Sequence, residues 1–253
     1  MEGKVQSVER ALRIMETLAK SQDGMTITEI SSKIDLHKST IYRLLGTLIK
    51  MGYVSQNKTS SAYDITLKLF ELGYDKVQKA DVLSVAKPYI KELMTISKET
   101  IHLVLREKSE IIYIDKVESK NTIRMYSSIG RRSPVYCTSV GKAMLAYMEE
   151  KEIREIWEMS DIKKLTEYTI TNYDRMLTEL EQVRTQGYAV DEQENELGIR
   201  CIGAPIFDHN QEVVAAISIS GPALRVTKER VKELGEAVKQ YSLHISRELG
   251  YPK

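Results

Sequence analysis

The segment LHKSTIYRLLGTLIKMGYV, residues 36–54, restricts the possible folds of this chain more than any other stretch. Its apolar residues recur at intervals of three and four and so form one stripe along a helix: Ile41, Leu44, Leu45, Leu48 and Ile49. The first turns of the same helix carry polar side chains that lie largely off this stripe: Lys38, Ser39, Thr40, Tyr42 and Arg43. The stripe explains how the helix packs on a core, and the polar set indicates a surface that contacts something else.

A shorter helix precedes this one and is separated from it by only three residues, 34–36. Thr26 and Glu29 at its start have the spacing of a capping box. The long helix is predicted to end at Gly52, and two short strand-like segments then flank the polar turn NKTSS at 57–61. A short helix, a tight turn, a longer helix and a hairpin predict a helix-turn-helix with a β-wing.

The first predicted helix covers residues 8–19, with these apolar positions expected to face the core: Val8, Ala11, Leu12, Met15, Leu18 and Ala19. We place the boundaries at 1–66 for the winged helix-turn-helix, 67–81 for a linker helix and 82–253 for a second domain. Its predicted elements are a helix at 82–97, a hairpin over 100–117, a third strand at 123–127, helices at 141–148, 151–159 and 173–186, strands at 188–191, 200–207 and 213–220, and a long helix after 227. Hairpins with helices at either end predict an antiparallel α+β domain.

The recognition helix of such a motif enters the major groove with its N-terminus first, so its first turns can reach phosphates and base edges. The candidate DNA contacts are Thr26, Lys38, Ser39, Thr40, Tyr42, Arg43, Lys58, Ser60 and Ser61, with Arg43 the best candidate for a guanine. The alternative is that these side chains are only the solvated face of a small helical domain. Net charge does not distinguish between these two alternatives, since residues 1–80 carry a net charge of +3, the remainder −2 and the whole chain +1. The ordered set of caps, turn, helix and wing favours DNA binding.

Composition indicates a soluble protein. The hydrophobic content of 42% and the charged content of 29% are ordinary for globular chains, and no apolar run reaches the length of a membrane span. Cys137 and Cys201 lie outside any metal-ligand spacing, and no signal peptide is visible, so we expect a cytoplasmic protein with reduced thiols. A disulfide between the two remains an alternative. We expect no metal, no cofactor and no membrane partner.

Local features of the second domain suggest a site for a small hydroxylated acid. Ser139, Val140 and Gly141 stand at the predicted start of a helix, where free N–H groups favour an anion. Ser218 and Ser220 share one face of a strand. For each feature there is also an alternative that involves no ligand, because SVGK sequences often only cap helices and serines on strands are often solvated.

Over its whole length the chain resembles the IclR family of bacterial transcription regulators. The resemblance rests on KSTIYRLLGTLIKMGYV, YDITLKLFELG, SIGRRSPVYCTSVGKAMLAYM, QGYAVDEQENELGIRCIGAPIFD and AISISGP. It implies a GAF/PAS-like effector domain, a homodimer or dimer of dimers on a palindromic or pseudo-palindromic operator, and an effector pocket at Met125, Ser139, Val140, Gly141, Asp191, Cys201, Ser218 and Ser220. One departure is His37, where many members have proline ahead of the recognition helix.

Several segments, including SKETIHL and RMYSSIGRR, resemble the branch that regulates pectin and 2-keto-3-deoxygluconate breakdown. This implies a repressor of a sugar-acid operon that is relieved by such an acid. An activator of the same family is one alternative. Another is a cytoplasmic enzyme or sensor whose winged helix contacts proteins.

Enzymatic readings have little support in the sequence. The segment around SVGKAM lacks the first glycine and the final Ser/Thr of a P-loop, where Tyr136 and Ala143 stand instead. The four histidines show no metal-ligand spacing. A cysteine nucleophile would need an activating neighbour, and no motif supplies one.

Overall fold

The computed structural model of the protein describes residues 5–72, 82–119, 121 and 127–252. Contacts divide the chain into two compact units, residues 1–76 and residues 77–253. Of the linker helix that we expected at 67–81, residues 68–72 are helical and residues 73–81 lie outside the described part.

The first unit consists of three helices and a short hairpin. Its elements are α1 (Gln6–Leu18), α2 (Ile27–Ile34), α3 (Lys38–Lys50), β1 (Val54–Gln56) and β2 (Tyr63–Ile65). The two strands are antiparallel, and Tyr63 also forms a bridge with Met25 just before α2. The core consists of Ile14, Leu18, Met25, Ile30, Ile34, Ile41, Leu45, Leu48, Val54 and Tyr63. This is the winged helix-turn-helix that the sequence predicts.

Both predicted helix ends are confirmed in atomic detail. The Thr26 N–H donates to Glu29 Oε2 (2.7 Å) and the Glu29 N–H donates to Thr26 Oγ1 (3.4 Å), which completes the capping box. At the end of α3, Gly52 takes a φ of 78°, and the N–H groups of Gly52 and Tyr53 donate to carbonyls of the last turn. This is a Schellman motif, which explains why the chain turns sharply into the wing.

The inward set predicted for α1 is partly wrong. Ile14 and Leu18 are the buried residues of this helix, whereas Val8 is 56% exposed, Leu12 is 51% exposed and Ala19 is also exposed. Packing on α2 and α3 covers only one edge of the apolar stripe, because the stripe is wider than the contact. Helix α1 therefore has a second apolar face that the unit itself does not cover.

The second unit contains a six-stranded antiparallel sheet in the order β5-β4-β3-β8-β7-β6. Its strands are β3 (Thr100–Glu107), β4 (Glu110–Val117), β5 (Arg132–Pro134), β6 (Ala189–Glu192), β7 (Ile199–Phe207) and β8 (Val213–Pro222). Its helices are α4 (Val82–Ser97), α5 (Ser139–Leu145), α6 (Glu150–Met159), α7 (Tyr173–Gln186) and α8 (Val231–Glu248). Strand β5 was not predicted, and most of the strand expected at 123–127 lies outside the described residues.

Two hydrophobic layers cover the two faces of this sheet. One layer joins α4 and α8 to inward residues such as Ile101, Ile202, Ile217 and Ile219. The other joins α5, α6 and α7 to residues such as Ala216 on the opposite face. Since side chains alternate along a strand, Ser218 and Ser220 point to the α5 side of the sheet. Within the described residues, no helix is both long and apolar enough to cross a membrane.

Candidate functional site

The exposed start of α3 carries the polar residues that the sequence singled out. Lys38, Ser39, Tyr42 and Arg43 are exposed and Thr40 is half-buried. The first turn of α3 contains no acidic side chain, so the positive end of the helix dipole is not offset locally. This surface suits an anionic partner such as a phosphate backbone.

The wing presents a second polar surface on a defined turn. Asn57 Oδ1 accepts hydrogen bonds from the backbone N–H groups of Thr59 (2.8 Å) and Ser60 (3.1 Å). Ser61 takes a positive φ of 57°, and its N–H donates to the Asn57 carbonyl (2.9 Å). Lys58, Ser60 and Ser61 are all exposed on this turn.

Thr26 differs from the other DNA candidates. It is half-buried, and its hydroxyl donates to Glu29 Oε2 (2.8 Å) within the capping box. Its hydroxyl and its N–H both donate to Glu29 within the capping box, so neither donor is left for a phosphate oxygen.

A row of polar side chains crosses the sheet of the second unit on its α5 side. Strand register pairs Asp191 of β6 with Cys201 of β7, Cys201 with Ser220 of β8, and Ser220 with Thr100 of β3. A second row lies two residues further along the strands. In this row Gly203 of β7 is paired with Ser218 of β8, and Ser218 is paired with His102 of β3. Side chains two residues apart share a face, so the two rows form one polar wall.

Gly203 allows the start of α5 to lie directly against this wall. A Cβ at this position would stand 2.8 Å from the Val140 nitrogen and 2.9 Å from the Ser139 carbonyl carbon. No other residue fits so close to another backbone without displacement. The glycine thus brings Ser139 and Val140 over Ser218.

Between the sheet and α5 lies a cavity of about 40 Å³, with room for only a few water molecules. Its lining is formed by His102, Tyr113, Ser127, Arg131, Ser133, Thr138, Ser139, Val140, Asp191, Asn195, Glu196, Ile199, Cys201, Ser218 and Ser220. Twelve of these fifteen residues carry a polar group other than a thiol, which distinguishes the cavity from an ordinary gap in an apolar core.

Six of the eight expected effector residues are brought together here: Ser139, Val140, Asp191, Cys201, Ser218 and Ser220. Gly141 is placed differently, because its N–H donates to Thr138 Oγ1 (3.2 Å) and it packs against Val135. The expected cluster of free N–H groups at this helix start is therefore smaller than the sequence suggested. Met125, the eighth, lies outside the described residues.

His102 and Tyr113 are pocket residues that the sequence reasoning missed. Their rings meet edge to face at 5.0 Å between centroids. The sequence contains only a weak indication that His102 lines the pocket. His102 follows Thr100 by two positions in TIHLVLRE, so the two polar side chains share one face of the strand. Sequence does not show that this face meets Ser218 and Ser220.

Burial sets the protonation states of the pocket. It raises the pKa of Asp191 to about 7, and repulsion from Glu194 adds to this rise. The N–H groups of Glu194 (2.7 Å) and Asn195 (3.4 Å) both donate to Asp191 Oδ1 and act in the opposite direction, but burial outweighs them. Burial also raises the pKa of Tyr113 to about 12 and lowers that of His102 to about 3. The phenol and the imidazole are therefore neutral near pH 7.

Both cysteines are free thiols, which removes the disulfide alternative. Burial is the main cause that raises the pKa of each thiol, and the nearby Asp191 carboxyl adds to it. A nucleophilic cysteine needs the reverse, a lowered pKa. Among the described residues, no group of three or more His, Cys, Asp or Glu side chains is arranged to hold a metal ion.

Behind the pocket, the fully buried Lys142 connects α5 to the residues that follow β6. Its ammonium donates to Glu179 Oε1 (2.9 Å), to the Val190 carbonyl (2.6 Å) and to the buried carboxylate of Glu194. Burial acts to lower the Lys142 pKa, but Glu194 and Glu179 outweigh it and raise the pKa overall. The lysine of SVGKAM is thus a charged structural anchor and not a phosphate ligand.

Comparisons with known proteins agree with this architecture. The model of the IclR helix-turn-helix domain matches residues 7–58, and that of the bacterial transcriptional regulator IclR C-terminal domain matches residues 74–247. The HTH-type transcriptional regulator KdgR of Escherichia coli K12 is 42% identical over 98% of this chain and 94% of its own length. The HTH-type transcriptional repressor AllR of the same strain is 36% identical over 97% and 90%. The crystal structure of Thermotoga maritima IclR superposes with a TM-score of 0.84, at 36% identity, over 98% of this chain and all of that one.

A winged helix-turn-helix together with a sheet domain that encloses a polar pocket defines a DNA-binding transcription regulator with an effector domain. Within that class, the chain belongs to the IclR family of bacterial transcriptional regulators. The relatives named above are regulators of transcription.

Proposed function

We propose that this protein is a cytoplasmic repressor of a sugar-acid catabolic operon, released from its operator by a small polyhydroxy acid such as 2-keto-3-deoxygluconate. The observation that carries the proposal is the polar wall formed by Asp191, Ser218, Ser220 and His102 inside an otherwise hydrophobic layer. The 42% identity to KdgR favours the branch of the family that regulates sugar-acid breakdown. A second relative in the same family, AllR, is named a transcriptional repressor.

The composition of the wall indicates the class of ligand. Buried hydroxyls and a buried carboxyl are costly unless they form hydrogen bonds, so a ligand rich in oxygen satisfies them better than an apolar one. Arg131 brings a positive charge to the lining and suits the carboxylate of an acid. Asp191 suits the hydroxyl groups of the remainder of the molecule, and the serine hydroxyls suit its hydroxyl and keto oxygens.

On DNA, α3 is proposed to enter the major groove while the wing holds the flanking backbone. Arg43 is the base-reading candidate, and Lys38, Ser39, Thr40, Tyr42, Lys58, Ser60 and Ser61 are the remaining contacts. One winged helix covers too little DNA for tight selective binding, so two copies are proposed to occupy half-sites about one helical turn, or a multiple of it, apart.

The uncovered apolar face of α1 supports pairing through the DNA-binding unit. Val8 and Leu12 are more than half exposed, and together with Leu72 of the following helical segment they line one apolar groove of this unit. A homodimer, or a dimer of such dimers, would remove this surface from water.

An effector changes DNA affinity only to the extent that it prefers one conformation of the protein. The cavity of about 40 Å³ is too small for a whole sugar acid, so binding requires its walls to separate. That requirement supports a link between the occupied pocket and a change of shape.

The test is a gel shift with the DNA upstream of the protein's own gene, with and without 2-keto-3-deoxygluconate. Release of the DNA by the acid supports a repressor, whereas tighter binding with acid indicates an activator. Failure to bind any such DNA indicates that the winged helix contacts proteins instead. The Ser218→Ala, Ser220→Ala double variant should keep operator binding and lose the response to acid, while Ser242→Ala, a buried serine of α8, should keep both.

A further inference from the structure

Four side chains form an unbroken hydrogen-bonded chain along the pocket wall. Ser127 Oγ lies 2.9 Å from His102 Nε2, and His102 Nδ1 lies 3.3 Å from Ser220 Oγ. Ser220 Oγ lies 3.2 Å from Ser218 Oγ. All four line the cavity, and His102, Ser218 and Ser220 are each at most 3% exposed. The imidazole is the only one of the four with two distinct polar atoms, and these two nitrogens link Ser127 to Ser220.

The charge state of the ring follows from its surroundings. Burial lowers the His102 pKa to about 3, and the Lys116 ammonium adds to this effect. Tyr113 packs against the ring edge to face, and its own raised pKa keeps the phenol neutral. A neutral imidazole carries a proton on one nitrogen and a lone pair on the other. The hydrogen bonds on its two sides therefore run in a common direction.

Two arrangements of protons satisfy this chain. With the proton on Nε2, the ring donates to Ser127 and accepts from Ser220, which in turn accepts from Ser218. The Ser218 hydroxyl proton is then used within the protein, and this serine offers only lone pairs to the pocket. With the proton on Nδ1, Ser127 donates to the ring and the ring donates to Ser220, which frees the Ser220 hydroxyl to donate to Ser218. The Ser218 hydroxyl is then free to donate into the pocket.

We propose that His102 is a positioning residue of the effector pocket, whose proton lies on Nδ1 when an acid is bound so that Ser218 donates to a carboxylate or keto oxygen. The inference rests on the proposed function, because it requires an acid in this pocket. Carboxylate and keto oxygens only accept hydrogen bonds, so they select the second arrangement. An ionised Asp191 only accepts hydrogen bonds, so in that state the donor to such an oxygen comes from the serines.

A matched pair of substitutions separates this role from simple packing. The side-chain amide of His102→Asn places a donor near the position of Nδ1, within reach of Ser220. That of His102→Gln places it near Nε2, within reach of Ser127 but not Ser220. Calorimetry with 2-keto-3-deoxygluconate should show that His102→Gln weakens binding about 5- to 10-fold, the effect of about one lost hydrogen bond, and that His102→Asn weakens it clearly less. Thermal unfolding of both variants checks that they fold equally well.

Nitrogen NMR of the imidazole rings tests the tautomer directly in the wild-type protein. The His102 signals are assigned by their loss in His102→Asn, since the chain has only four histidines. With 2-keto-3-deoxygluconate bound, Nδ1 should carry the proton and Nε2 should not. A bound acid with the proton on Nε2, or equal affinity losses in both variants, overturns the role of His102 alone. If 2-keto-3-deoxygluconate does not bind the wild type, the proposed effector fails, and this inference fails with it.

Discussion

Asp191 and Cys201 are direct neighbours across the antiparallel strands β6 and β7, and both line the same cavity. The thiol offers the carboxyl little stabilisation, and burial raises the Asp191 pKa to about 7. An acid with such a pKa exchanges its proton in the physiological range, so the pocket changes charge near neutral pH.

The first prediction concerns stability against pH. The folded protein holds a proton on Asp191 between about pH 4 and 7 that the unfolded chain, with an ordinary pKa of 3.8, releases. This contribution to stability is complete below pH 4 and is lost as the pH rises through 7. The free energy of unfolding of wild type minus that of Asp191→Asn should therefore fall by a few kcal/mol from pH 4 to 7, at about 1.4 kcal/mol per pKa unit.

Urea unfolding at several pH values measures this difference. Taking the difference cancels the opposite contribution of His102, whose lowered pKa makes stability rise with pH over the range between about 3 and 6.5. A difference that does not change with pH would show that the Asp191 carboxyl has an ordinary pKa in the folded protein.

The second prediction concerns the buried ion cluster. Lys142→Met removes the cation that Glu194 and Glu179 share and leaves Glu194 uncompensated inside the protein. We expect a loss of about 3–5 kcal/mol in the free energy of unfolding of the second unit. Adding Glu194→Gln to Lys142→Met should restore part of the loss. Equal stabilities of the single and double variants would contradict the pairing.

The third prediction concerns the recognition helix. Arg43 is exposed and lies off the buried stripe of α3, so Arg43→Ala should leave unfolding nearly unchanged. Loss of a base-edge contact should weaken specific operator binding by about 1–3 kcal/mol. Lys50→Ala removes the same charge at the opposite end of α3 and should have a much smaller effect in a quantitative gel shift. If the two variants behave alike, α3 does not read bases through Arg43.

The fourth prediction concerns assembly. Leu12→Asp places a charge in the exposed apolar face of α1, which should disfavour pairing of two copies and weaken operator binding. Leu165→Asp, on an exposed leucine of the second unit, serves as the control. Sedimentation at micromolar concentration should show dissociation for Leu12→Asp only. An unchanged assembly would place the dimer contact elsewhere.

The sequence alone was enough for several features that depend on residues close together in the chain. The capping box of Thr26 and Glu29, the turn at Gly52 and the alternation that places Ser218 with Ser220 all follow from spacings of a few residues. Local hydrogen bonds and side-chain periodicity are set by the nearest neighbours, so the winged helix was predictable, whereas strand β5 and the order of the strands in the sheet were not predicted. The family resemblance likewise rested on ordered local motifs.

Tertiary structure decided what each face meets. An apolar stripe shows which side of α1 is apolar but not what covers it, and packing left Val8 and Leu12 exposed. His102 contacts Ser220 across 118 residues of sequence, and only the register of β3 against β8 brings them together. Register depends on the collective packing of the whole sheet, where a shift of one residue reverses every side chain, and no local pattern encodes it.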